Sequence, residues 1–137
     1  MSEKIVKVAW VSRHPPLKSQ LRELQRVLHA PVDVRPVEKT FRDAREIIRD
    51  VRSELADVAV VVAPLSMIAV LLREAPEIAW LRAEMTALHE CNVMQCQEFN
   101  PDTDVWLPMQ GSDQGRHMRF SHFCRIREVR VICEPMK

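Results

Sequence analysis

Glycine is nearly missing from this sequence. There are 2 in 137 residues, Gly111 and Gly115, and both fall in one stretch. A phosphate-cradling loop or a dinucleotide fingerprint needs several glycines between a strand and a helix, so both are excluded. Net charge is missing too. With 20 Lys and Arg against 19 Asp and Glu, the formal charge is +1, so no global field draws the chain to nucleic acid or membrane. Any such binding has to come from a local patch. Long apolar runs are also lacking: Ile5–Val11 is interrupted by Lys7 and has no small-residue cleavage site, so it reads as neither signal peptide nor membrane span. The expectation is a cytoplasmic protein without membrane contact. Its 4 cysteines, Cys91, Cys96, Cys124 and Cys133, are then expected as free thiols.

What is present is organised around Asp57–Ser66. One acid leads a run dominated by valines, which reads as a strand buried on both faces, and Pro64 then turns the chain into an apolar helix. Such a strand belongs in the middle of a parallel sheet. Before it, Lys4–Val11 reads as a strand with Val6, Val8 and Trp10 on one face and Ile5, Ala9 and Val11 on the other. Leu17, Leu21, Leu24 and Leu28 then mark a helix with one buried stripe, entered through Pro15-Pro16. Val32–Val37 is a second strand. Thr40 is placed to cap a helix whose Phe41, Ala44, Ile48, Val51 and Leu55 share a face. The helix from Ser66 to Glu74 is apolar almost all round, which suits a sandwiched helix or the contact of a homodimer.

After Pro76 the pattern fits either a helix or a fourth parallel strand over Ile78–Met85, and the strand is the reading adopted. Asn92–Phe99 and Asp104–Met109 read as a hairpin about the turn Asn100–Thr103. Residues 118–127 alternate with period two, as a strand does, and Val129–Cys133 reads as a further strand. The expected fold is therefore a single α/β domain over residues 1–137. Residues 1–85 form a mainly parallel, Rossmann-like or flavodoxin-like core flanked by helices, and 92–134 form an antiparallel extension.

Parallel sheets gather the carboxyl ends of their strands at one edge. Ser12, Arg13 and His14 after the first strand, Lys39 and Thr40 after the second, and Ser66 after the third are expected to converge there. Two cations, three hydroxyls and helix N-termini describe a site for a phosphate or other anion. The function this implies is non-catalytic binding of a small anionic, phosphorylated or nucleotide-like ligand, with no cofactor and no metal. The alternative is a phosphoryl-transfer or phosphodiester-cleaving enzyme with His14 as nucleophile or acid/base.

A strand running into Arg13-His14 resembles the start of the histidine phosphatases, whose Arg-His-Gly motif supplies a nucleophilic histidine and a phosphate-clamping arginine. Pro15 stands where that family has glycine. The layout and polar first loop also resemble the sensor domains of CRISPR systems, which implies a cyclic oligoadenylate over strand ends at a dimer interface.

Two further constellations remain. His89, Cys91, Cys96, His117, His122, Cys124 and Cys133 are metal-ligand types, but Cys91-x₄-Cys96 lies at the edge of zinc-knuckle spacing, and Cys124 and Cys133 fit the inward face of strands. No metal is expected from them. From Arg116 to Lys137 there are six Lys or Arg against two acids, a local +4. Arg119, Phe123, Arg125 and Arg127 share one strand face there, which gives a further alternative, a nucleic-acid-binding module on the C-terminal Arg-rich strands.

Overall fold

The computed structural model describes residues 4–92 and 96–136. Along the chain run β1 (Val6–Val11), α1 (Lys18–Leu28), β2 (Val32–Pro36), α2 (Ala44–Ser53), β3 (Val58–Val61), α3 (Leu65–Glu74), β4 (Ala79–Cys91), β5 (Asp104–Pro108) and β6 (Gly115–Arg125). They build one sheet of order β2-β1-β3-β4-β6-β5. The first four strands pair in parallel and the last three antiparallel.

The expectation of a mainly parallel, Rossmann-like or flavodoxin-like sheet is thereby corrected. The sheet is mixed, and its C-terminal half is antiparallel and curls into a half-barrel. The reason lies in β4. Its first residues, Ala79–Leu81, pair with β3, but the strand then runs on to Cys91 beside β6. A parallel neighbour needs a crossover, usually a helix, and the described residues beyond β4 contain none, so the chain can return only antiparallel. β4, β5 and β6 consequently form an arm that reaches past the ends of β1 and β3.

The two faces of the N-terminal half follow the valine alternation. Ala9, Val11, Ala59, Val61 and Trp80 pack under α2 and α3. Val8, Trp10, Val58, Val60 and Leu81 pack under Leu24 and Leu28 of α1. Trp80 is 1% exposed, and its indole N–H donates to the Ala75 carbonyl at 3.0 Å, which ties the end of α3 to β4.

Three local expectations change. Asp43, not Thr40, caps α2: its carboxylate accepts from the Arg45 amide at 2.8 Å, and the Thr40 hydroxyl is left free for other work. Of the run expected as a strand over Asn92–Phe99, residues 93–95 lie outside the described residues, and 96–99 form a turn; β5 pairs with β6 instead. Residues 126–136 form no strand, and Val131 and Ile132 stand exposed.

Two β-bulges bend the arm. Glu84 pairs with His122 and Met85 with Phe120, so Ser121 is the extra residue; Ala87 pairs with Met118 and His89 with His117, so Leu88 is another. Each bulge flips the alternation that a period-two reading assumes. Arg119 therefore faces one side of the sheet, while Phe123 and Arg125 face the other.

Scarcity of glycine shows in the backbone. His29 at the end of α1 (φ 52°) and Leu55 just after α2 (φ 56°) adopt the left-handed conformation that glycine usually fills. For a residue with a β-carbon that conformation costs about 1–2 kcal/mol. Leu55 is 72% exposed, so its side chain contributes little packing to offset the strain. Leu55→Gly is expected to raise unfolding stability by about 0.5–1 kcal/mol, after allowing for glycine's larger chain entropy. A urea midpoint that rises with an unchanged m-value would bear this out, and a lower midpoint would contradict it.

Candidate functional site

Two places in the structure concentrate chemistry. The first lies beyond the carboxyl ends of β1 and β3, where β2 and β3 flank β1 on opposite sides. The loop leaving β1 is pinned from two directions. The Trp10 indole donates to the His14 carbonyl at 2.7 Å, and the His14 amide donates to the Ser12 hydroxyl at 3.2 Å. Arg13 reaches across to β2's exit loop and donates to the Thr40 hydroxyl at 2.8 Å. Lys39 sits nearby, 5.8 Å above the Phe41 ring and 2.6 Å from an Asp50 carboxylate oxygen.

Ser12, Arg13, His14, Lys39 and Thr40 thus line one recess of about 410 Å³. Ser66 does not belong to it, being exposed in the first turn of α3. A second recess, of about 590 Å³, shares Ser12, His14 and Val62–Pro64 with the first and is walled by Trp10, Val60, Ile68, Met85, Val105 and Leu107. Its far wall is the arm. Together they form a largely apolar crevice with cations and hydroxyls at one end. The His14 imidazole has no hydrogen-bonding side chain beside it among the described residues, so nothing orients it or takes up its proton.

The second place is on the opposite face of the arm. Register sets His89 and Trp106 on either side of His117, Asp104 beside Arg119, and Cys91 opposite Gly115, all on one face. His117 and Asp104 have no exposed side-chain surface. The His117 Nε2 lies 2.6 Å from an Asp104 oxygen. Asp104 also accepts two bonds from the Arg119 guanidinium (2.8 and 3.1 Å), one from the Thr103 hydroxyl (2.6 Å) and one from the Asn100 amide (2.9 Å). Burial raises the carboxyl's pKa, but these donors together outweigh it and hold the group far below the usual carboxylate range.

From His117, Nδ1 points to a cluster formed by His89, Cys91 and Cys96. His89 Nε2 is 3.3 Å from His117 Nδ1 and 3.2 Å from Cys96 Sγ, and Cys96 Sγ is 3.5 Å from His117 Nδ1. All four donor atoms, Cys91 Sγ included, lie within 4.8 Å of one another. Hydrogen bonds from His89 and Cys91 lower the Cys96 thiol's pKa, whereas burial and then the neighbouring Cys96 push Cys91 up to about 11. Trp106 fixes the edge of the cluster, its indole N–H donating to the Cys91 carbonyl at 2.8 Å and its ring covering Gly115. A β-carbon on Gly115 would stand 2.3 Å from that ring, so this position needs glycine for space.

The residues expected to bind nucleic acid are not brought together. Arg119 is committed to Asp104, Phe123 packs edge-on against Trp10 (centroids 6.3 Å apart) and against Phe120, and Arg127 lies beyond the end of β6. Of the seven Cys and His weighed from sequence, four converge, while His122, Cys124 and Cys133 stand apart. Asp104, Trp106 and Gly115 carried no signal of their own. Cys91-x₄-Cys96 was the visible trace of the cluster.

Comparison with known protein families, with curated proteins and with solved structures finds no match. The chemistry of both places therefore rests on their geometry. No helix among the described residues is long and apolar enough to cross a membrane.

Asp104→Ala would strand a buried imidazole and an arginine together. It is expected to lower stability by about 3–5 kcal/mol, the usual cost of removing one partner from a buried charged network. Cys124→Ser serves as the control and should shift the urea midpoint little. Equal effects of the two changes would contradict the assignment of Asp104 as the arm's central acceptor.

Proposed function

We propose that this chain is a non-catalytic binding domain for a small ligand with an apolar body and an anionic, phosphate-like end, seated in the crevice beyond β1 and β3. The observation that carries the reading is the continuity of the two recesses. An apolar chamber shares Ser12 and His14 with a polar end where Arg13, Lys39 and Thr40 gather. Binding sites for small molecules are mostly apolar with a few placed polar groups, and this crevice falls in the usual size range of roughly 300–1,000 Å³.

Arg13 would supply the charge-assisted bonds to the anion, since its contact with Thr40 uses one amino group of the fork and leaves others to donate. Lys39 is partly neutralised by Asp50 and would contribute less. Val62 and Leu65, 71% and 60% exposed, form an apolar rim that a nucleobase or similar ring could cover. The enzyme alternative is weaker because His14 has no orienting side chain among the described residues, and phosphoryl chemistry through it would need one.

Thermal unfolding against nucleotides, cyclic oligonucleotides and sugar phosphates tests this. A ligand at a hundredfold excess over its dissociation constant should stabilise the fold by about 2.7 kcal/mol. Arg13→Ala should weaken that ligand at least tenfold, in line with the loss of about 1.5–3 kcal/mol for a hydrogen bond to a charged group. A panel without any shift, or a shift indifferent to Arg13, would retire the reading.

A further inference from the structure

We propose that His89, Cys91, Cys96 and His117 form a structural zinc site that staples the arm together. Zinc held by imidazole nitrogen at about 2.0 Å and thiolate at about 2.3 Å in a tetrahedron requires donor atoms roughly 3.3–3.8 Å apart. The three separations among His89 Nε2, Cys96 Sγ and His117 Nδ1 are 3.3, 3.2 and 3.5 Å, and Cys91 Sγ falls within 4.8 Å of all three.

Groups behind the donors complete the site. The Nε2 of His117, away from the cluster, meets Asp104 at 2.6 Å, and the Nδ1 of His89 faces Glu98 at 3.6 Å. The Asp104 carboxylate holds the His117 N–H outward and turns its other lone pair towards the cluster, as carboxylate–histidine–zinc arrangements do, and Glu98 lies near the outer nitrogen of His89 without a hydrogen bond to it. That lone pair faces His89 Nε2 at 3.3 Å and Cys96 Sγ at 3.5 Å, so the three atoms surround a common point. Two thiolates and two imidazoles are a soft donor set, suited to zinc and unsuited to calcium or magnesium. Two thiolates also cancel the ion's charge, so the filled site is neutral beside a neutral Asp104–Arg119 pair.

The arm also has little apolar burial to hold it. Between residues 82 and 125 the fully buried positions among the described residues are Asp104, Gly115 and His117, none of them a large apolar side chain. An arm without its own hydrophobic core requires another staple, as very small domains do. Four protein donors leave no open position, so the site is structural and not hydrolytic. This assignment is independent of the strand-end crevice.

The purified chain, prepared without chelator, should contain one zinc per molecule by elemental analysis. X-ray absorption at the zinc edge should show two sulfurs and two nitrogens at roughly 2.3 and 2.0 Å. Cys96→Ser should lose most of the metal, whereas Cys124→Ser and Cys133→Ser should keep it. Should Cys96→Ser fail to fold, the X-ray absorption of the unaltered chain decides alone. A chain that neither carries zinc nor takes it up, a shell of oxygen and nitrogen only, or full metal content in folded Cys96→Ser would each overturn the proposal.

Discussion

A hydrogen bond of 2.6 Å between two side chains with no solvent exposure, His117 and Asp104, sits where a hydrophobic core would be expected in the C-terminal half. A buried carboxylate is costly unless every lone pair finds a donor. Here the donors come from His117 and Arg119 of β6, from Thr103 next in the chain, and from the Asn100 amide of the preceding turn. Asp104 therefore fixes the position of β5 against β6 and the fold of the turn that enters β5. That turn is anchored in its own right to α1, since the Ser19 amide donates to the Asp102 carbonyl at 3.1 Å.

The same strands serve two surfaces. Side chains alternate across a sheet, so fixing Asp104 and Trp106 on one face fixes Val105 and Leu107 on the other, where they wall the crevice. The Cys/His cluster and the crevice are thus back to back. Loosening the arm at Asp104 would move the far wall of the crevice without touching Arg13 or Thr40. Gln20 adds a direct link: it is buried in the first turn of α1, binds the Leu17 amide at 2.8 Å, and reaches the Met85 sulfur of β4 at 4.0 Å.

Legibility in the sequence divides along the same line. In the N-terminal half local pattern and tertiary outcome agree. The opposed sets Val8/Trp10 and Ala9/Val11 land in two different core layers, and the loop residues Ser12–His14 meet Lys39 and Thr40 as parallel strand ends should. Ser66 does not join them, because α3 starts at Leu65 and carries it outward. In the C-terminal half local pattern misleads. Bulges at Leu88 and Ser121 invert the alternation, which separated Arg119 from Phe123 and placed His89 level with His117 across 28 residues of sequence. Ligand spacing along the chain cannot show a pairing made by strand register. The fourth parallel strand expected after β3 is present, with Ala79–Leu81 pairing in parallel with Val58–Val60. What the pattern of Ile78–Met85 did not show is that β4 runs on to Cys91 and takes β6 as an antiparallel partner on its other edge.

The central claim is that the arm is a separate cooperative unit held by its polar cluster, whereas the β1–β3 body is held by apolar burial. Amide hydrogen exchange with and without a zinc chelator measures this most directly. Chelation should strip protection from the amides of 86–91 and 116–120 while those of Ala9, Val11 and Val60 stay slow. Arm amides that ignore the chelator, or an arm and body that lose protection together, would contradict it.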